Sequence, residues 1–418
     1  MELIISKTIW LVNVYALPPD KELRIQTLKR AKYLVKRGFD VYVFCGSHLH
    51  NSKDNLIKDK KLYLHYKHEN INYIHIRNCS YGNSYLKRIL SLMQFYFRLF
   101  QVSTFFNKPD IISLYSSIPF SNVVYYLAKK YQAKLVLEVV DLWPEVFVSL
   151  GLVTKYNLFL HLSYFNEKWI YKRADTIVFS MEGGVDYIRD KKWDIDSGGP
   201  INLSKVRYIN NGVDLDDFNH DLVVHSLDDQ DLIDENIFKV VYLGSIRQAN
   251  GVDLIIDVAK QLSNNKSIKY LIYGDGPERV KLKSRIEKEN ISNVILKQEW
   301  VELKFVPYIL SKSSLNLLNY AQNSIFRYGG SQSKSFQYMA SGKPICSNIE
   351  MAYCPINKFN LGIAKNFKNA KEYSEAILGI YNMSRKEYNQ LCNNAILTAK
   401  KYDYEYLTNK YVKDCLDL

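Results

Sequence analysis

Short runs of β-branched and aromatic residues alternate along the N-terminal half with longer stretches whose apolar positions recur every three or four residues. That alternation predicts parallel strands joined by crossover helices. Residues 8–15 form a near-continuous apolar run, as a strand buried on both faces would, and residues 40–45 form another. Between them residues 22–37 read as a helix with Leu23, Leu28, Ala31 and Leu34 along one face, opening after Pro18 and Pro19 and ending at Gly38. Residues 111–114, 134–139 and 175–180 add three strands to the same sheet.

A second series follows, with strands at 238–243, 269–273, 293–297, 314–318 and 344–348 and helices at 252–262, 278–289 and 333–341. Residues 370–418 read as helical throughout by their spacing. The segment VRYINNGVDLDDF at 206–218, with its Asn-Gly turn and an acidic stretch running on to Glu235, marks a junction between the two series. The predicted fold is α/β: two Rossmann-like doubly wound domains facing each other across a cleft, residues 1–210 and 211–400, with a helix at 401–418 packing back toward the first. Ligands of such sheets sit beyond the carboxyl ends of the strands, so the cleft is the expected site.

Composition changes this picture little, since 47% hydrophobic and 24% charged residues over 418 positions are ordinary for a folded chain of two or three domains. No apolar run reaches the 18 residues of a spanning helix, and the start, broken by Glu2 and Lys7, lacks a signal-peptide cleavage site, which predicts a cytoplasmic protein. The six cysteines show no metal or disulfide spacing and are expected to be reduced structural thiols. Charge is more informative: the net +13 comes mostly from the first 100 residues, which hold 17 Lys and Arg against 7 Asp and Glu. Such a field attracts nucleic acid, anionic lipid headgroups or phosphorylated metabolites without choosing among them, and no nucleic-acid motif accompanies it.

Three segments carry candidate chemistry. In YLGSIRQANG at 242–251, Gly244 lets the chain turn where a strand ends, the following helix offers free N–H groups to an anion, and Arg247 adds a bidentate donor, although a surface turn would look alike. In YGDGPERVK at 273–281, Gly274 and Gly276 permit close backbone approach at a strand end, and a plain tight turn would also use them. In FRYGGSQSKSFQYMASGKPI at 326–345, glycines with Ser331 and Ser333 open a helix suited to phosphate, Lys334 sits in its first turn and Gln337 one turn on. An ordinary amphipathic helix would leave the Gly-Gly-Ser opening unexplained.

Taken in this order, the three segments resemble the C-terminal half of a family 4, GT-B glycosyltransferase. LEVVDLWPEVFVSLG at 137–151 is similar to the Asp-x-Trp-Pro-Glu segment of the branch that builds bacterial surface polysaccharides such as capsule, O-antigen and lipopolysaccharide, and KRADTIVFSM from Lys172 resembles that family's strand before the hinge. The resemblance implies that Arg247 pairs with the donor diphosphate. The family's companion lysine falls at Asn250, with Lys334 as its replacement by our inference, and its paired glutamates fall at Gly329 and Gln337. The glycine-rich turn after the first strand is replaced by YALPPDKELR at 15–24.

The implied activity is a retaining, metal-independent hexosyl transfer from a nucleoside-diphosphate sugar, a UDP-sugar as co-substrate, to a lipid-linked or polysaccharide acceptor. Asp141 and Glu145 are the candidates for handling the acceptor hydroxyl, with Trp143 shaping its pocket. Asp141 would otherwise cap a helix beginning near Pro144. No metal ligand set is present, Asp216 and Asp217 lying in the junction. Two rivals stay open on the same architecture: a sugar-nucleotide epimerase, and a donor-binding partner subunit that has lost both helix glutamates. SYLKRILSLMQFYFRLFQ at 84–101 has a narrow polar stripe at Lys87, Ser91, Gln94, Arg98 and Gln101 on an otherwise apolar helix, which fits a core helix, a peripheral helix on an anionic membrane face, or one serving as both.

Overall fold

The computed structural model describes residues 7–21, 26–50, 52–82, 84–116, 119–154 and 156–416. The expected start of the first helix, with Leu23, and Glu2 of the N-terminal segment lie outside the described residues. The chain divides into two compact units, Met1–Asn210 with Tyr404–Leu418, and Asn211–Asp403.

Unit 1 is built on eight strands, β1 (Thr8–Val12), β2 (Asp40–Gly46), β3 (Tyr63–His68), β4 (Ile71–Ile76), β5 (Ile111–Tyr115), β6 (Lys134–Val139), β7 (Thr176–Phe179) and β8 (Val206–Tyr208). They lie in the order β3-β4-β2-β1-β5-β6-β7-β8, parallel except for the β3–β4 pair. Every residue of β1 and β5 is buried, which is why neither alternates polar with apolar. The helices are α1 (Gln26–Lys36), α2 (Tyr85–Val102), α3 (Asn122–Tyr131), α4 (Glu145–Ser149), α5 (Leu158–Arg173) and α6 (Gly184–Asp190). The last helix of the chain, Tyr404–Cys415, returns to this unit: Lys410 donates to the Tyr208 carbonyl at 2.8 Å, and the Arg30 guanidinium of α1 lies 4.3 Å above the Tyr411 ring.

One element is absent from the sequence reading, and in another the structure fixes which side faces the core. The β3–β4 hairpin occupies a stretch with no expected element. Its turn places Glu69 and Asn70 at φ 46° and 63°, a conformation usually announced by glycine, so the usual hairpin signal is missing. In α2 the middle of the polar stripe, Ser91, Gln94 and Arg98, is tied to the unit, while Lys87 and Gln101 at its ends are exposed. Ser91 is 1% exposed and accepts from Asn78 Nδ2 at 2.8 Å, Gln94 Oε1 accepts from the Cys79 N–H at 2.9 Å, and Arg98 donates to the Arg77 carbonyl. The face opposite the buried Leu92, Phe95, Tyr96 and Leu99 carries Leu86, Leu90, Met93, Phe97 and Phe100, all exposed, so α2 is a core helix along one side and an apolar surface along the other.

Unit 2 has six parallel strands, β9 (Phe238–Leu243), β10 (Ile268–Tyr273), β11 (Val294–Leu296), β12 (Leu315–Leu318), β13 (Ile345–Ser347) and β14 (Gly362–Ala364), in the order β11-β10-β9-β12-β13-β14. Its helices are α7 (Leu215–Val224), α8 (Gln230–Ile233), α9 (Val252–Gln261), α10 (Arg279–Lys288), α11 (Val306–Lys312), α12 (Ser333–Ala340), α13 (Pro355–Lys358), α14 (Ala370–Tyr381) and α15 (Arg385–Ala399). The acidic stretch read as part of a junction carries α7 and α8, and Asp229 and Asp231 at the second of these hold Lys297 Nζ at 2.7 and 2.5 Å. The C-terminal region is not one continuous helix. Ser384 and Glu387 form a capping box that starts α15 afresh, and Asp403 is extended.

Candidate active site

In unit 2 the carboxyl ends of β9 and β10 lead into two loops that pair with each other. The Ile246 N–H donates to the Asp275 carbonyl at 2.8 Å and the Glu278 N–H to the Ile246 carbonyl at 3.2 Å. This pairing explains two glycines: a Cβ on Gly274 would stand 2.0 Å from the Gly244 carbonyl oxygen, and one on Gly276 would stand 2.2 Å from that of Ile246. Both serve the approach of one loop to the other. Gly244 has a different neighbour, since its Cβ would meet Lys334 Cε at 2.5 Å and Nζ at 2.7 Å.

Lys334 thus reaches from the first turn of α12 across the end of β9. Its Nζ donates to Tyr242 Oη at 3.1 Å and lies over the Tyr242 and Tyr320 rings at 4.6 and 5.1 Å. Among the described residues no carboxylate pairs with it, and burial pushes its pKa down from 10.5 to about 7. Tyr242 Oη also accepts from Asn250 Nδ2 at 2.9 Å, and that amide donates to the Ser245 carbonyl at 2.7 Å. Asn250 is therefore a brace for the loop. Arg247 is exposed on the same loop, and its guanidinium makes no hydrogen bond or ion pair among the described residues. The α12 N-cap, Gln332, supplies no side-chain cap, which leaves the first N–H groups of the helix available to an anion.

In unit 1 the carboxyl ends of β1, β5 and β6 open into a cavity of about 840 Å³. Asn13, Tyr15, Gln26, His50 and Arg88 line it on the β1 side, and Asp141, Trp143, Phe147, Phe159 and Leu162 on the side of β6, α4 and α5. Asp141 is exposed, and Pro144 is the N-cap of α4. Trp143 packs on Phe147 with ring centroids 4.7 Å apart.

Residues 26–217 match the family described as Glycosyltransferase Family 4, and residues 225–398 match Glycosyl transferases group 1. The chain is a GT-B glycosyltransferase. Sucrose-phosphate synthase from Thermosynechococcus elongatus superposes with a TM-score of 0.71 at 14% identity over 98% of each chain. A trehalose-6-phosphate structure from E. coli bound with UDP-2-fluoro glucose gives 0.71 at 12% over 98% of each chain. Anabaena HepE in complex with UDP-glucose gives 0.63 at 14% over 98% of this chain and all of its own. At these identities the likeness is one of fold. No curated protein matches the chain.

Of the residues singled out in the glycosyltransferase sequence, Gly244 and Lys334 are in direct contact, with Arg247 on the same loop as Gly244. Gln337 is half-buried one turn further along α12, with no side-chain partner among the described residues. Ser333 begins α12, whereas Ser331 Oγ is engaged by the Asn211 N–H at 3.2 Å. Asp141 and Trp143 line the unit 1 cavity and Glu145 does not. Its Oε2 accepts from Tyr164 Oη and Lys191 Nζ, each at 2.5 Å, and so ties α4 to α5 and to the end of α6. Sequence reasoning passed over Tyr242 and Tyr320 around Lys334, and Tyr15, Gln26, His50 and Arg88 in the cavity. Isolated residues on separate elements carry no spacing signal.

Proposed function

We propose that this glycosyltransferase moves a hexosyl group from a UDP-sugar to a lipid-linked saccharide, with retention and without a metal, in the assembly of surface polysaccharide at the inner face of the cytoplasmic membrane. The observation that carries the donor half is Lys334: an ammonium group buried against two tyrosine rings beside a glycine, with no carboxylate partner among the described residues, is a place prepared for an anion. Arg247 and the α12 N-terminus bring further positive charge to the same unit, the arrangement that a departing diphosphate requires. UDP-sugars are the ligands named for two of the similar folds.

The acceptor half rests on unit 1. Asp141 in the cavity is the group to receive the proton of the attacking hydroxyl, and Trp143 forms one wall. The apolar outer face of α2, in a segment of surplus positive charge, supports work at an anionic membrane surface. No helix among the described residues is long and apolar enough to cross a membrane.

The test is release of nucleoside diphosphate from a panel of nucleotide sugars with and without lipid-linked acceptor. Release that depends on acceptor is expected. Conversion of the nucleotide sugar alone would establish the epimerase, and binding without turnover the partner subunit. Arg247→Ala should lower turnover roughly 100-fold or more, and full activity in that variant would remove Arg247 from the site.

A further inference from the structure

The two sides of the unit 1 cavity differ in chemistry. On the β1 side, Arg88 donates through Nε and Nη2 to Tyr15 Oη at 3.2 and 3.0 Å, and no carboxylate pairs with it among the described residues. Because Tyr15 Oη accepts both bonds, its own O–H remains to donate, and the ring lines the cavity. Gln26 lines the same side at only 7% exposure, and its side-chain amide makes no hydrogen bond among the described residues. The amide is thus turned to the cavity, free to donate to a ligand there. The remaining charged residue of the lining is Asp141, at the end of β6 on the other side. An anion in the cavity is therefore drawn to the Arg88 side.

The other side is apolar and leads outward. Phe120, Tyr126, Phe159 and Leu162 line the cavity and are each exposed, so the wall they form continues to the protein surface. The cavity thus offers fixed donors for an anion on one side and an aromatic exit on the other, within a volume at the upper end of the roughly 300–1,000 Å³ usual for small-molecule sites.

We propose that Arg88, Tyr15 and Gln26 form a phosphate subsite for an amphiphilic acceptor whose hydrocarbon chain leaves over Phe120, Tyr126, Phe159 and Leu162. This rests on the lipid-linked acceptor reading and assigns the part of the acceptor that the cavity recognises: a phosphate bearing a hydrocarbon chain, held by charge on the β1 side and by apolar contact on the other. Arg88 is a specificity residue here and takes no part in bond making.

The experiment titrates the full chain with farnesyl phosphate, farnesol and inorganic phosphate by calorimetry. Farnesyl phosphate is expected to bind at least tenfold more tightly than farnesol, and inorganic phosphate to compete only at far higher concentration. Arg88→Met should weaken farnesyl phosphate roughly 10- to 100-fold and leave farnesol unchanged, with Arg88→Lys in between. Equal affinity for farnesol and its phosphate, or an Arg88→Met protein that binds farnesyl phosphate normally, would overturn the proposal. Inorganic phosphate binding as tightly as farnesyl phosphate would overturn the amphiphile and leave a free-anion site. UDP binding is measured on the same proteins. If UDP binds to Arg88→Met as to the parent, the variant is folded and any loss belongs to this subsite, whereas failure of UDP to bind the parent chain would count against the transferase reading itself.

Discussion

An ammonium group packed between two tyrosine rings can lower its energy by losing its proton or by meeting an anion, and Lys334 is poised between the two. With the folded pKa lowered from 10.5 to about 7, the unfolded chain binds more protons between those values, so this residue makes stability rise with pH across that window. A bound diphosphate favours the charged lysine, so nucleoside-diphosphate affinity should fall as pH rises from about 6 to about 9. In Lys334→Met we expect affinity at least tenfold weaker at the lower pH and flat across the range, measured by calorimetry. A pH-independent affinity shared by both proteins would show that Lys334 does not touch the donor. Lys334 could be read from the sequence as a cation in a helix's first turn. Its contact with Gly244 could not, because those residues are 90 positions apart and meet only when β9 and α12 come together.

At the scale of elements, α2 shows what periodicity leaves open. A stripe of polar residues along a helix specifies which residues share a face, while the partner of that face decides whether it turns in or out. Here Asn78, the Cys79 N–H and the Arg77 carbonyl satisfy Ser91, Gln94 and Arg98 in the middle of the stripe, and the helix turns Leu86, Leu90, Met93, Phe97 and Phe100 outward. A phenylalanine buried in an interface contributes about 1.5–3 kcal/mol, so Phe97→Ser with Phe100→Ser should weaken binding to anionic vesicles more than tenfold, with little change in melting temperature. Cosedimentation with vesicles of anionic and of neutral lipid measures this. Unchanged partitioning of the double variant would exclude α2 as the contact. The loops at Gly274 and Gly276 teach the same lesson: glycine at a strand end was legible, yet the group it makes room for is the facing loop.

For the molecule as a whole, the chain order and the folded units do not coincide, since Tyr404–Leu418 belongs with Met1–Asn210. The last helix is held by a buried charge: Arg30, which pairs with Glu138 at 3.4 Å, is covered by the fully buried Tyr411 ring. Tyr411→Ala should cost about 3–5 kcal/mol by denaturant unfolding, as for other large buried aromatic residues. A loss below about 1 kcal/mol would mean that the helix contributes little to unit 1. By itself the sequence determined the repeated strand–helix series, the glycine-bearing turns at strand ends and the surplus of positive charge in the first 100 residues, because each follows from local spacing and composition. Only the tertiary structure decided that α2 turns its apolar side out, that Glu145 is held by Tyr164 and Lys191, and that the cavity gathers Arg88, Gln26 and Asp141. Each of these depends on groups brought together from distant parts of the chain, and burial of such groups against one another leaves no mark on the residues beside them.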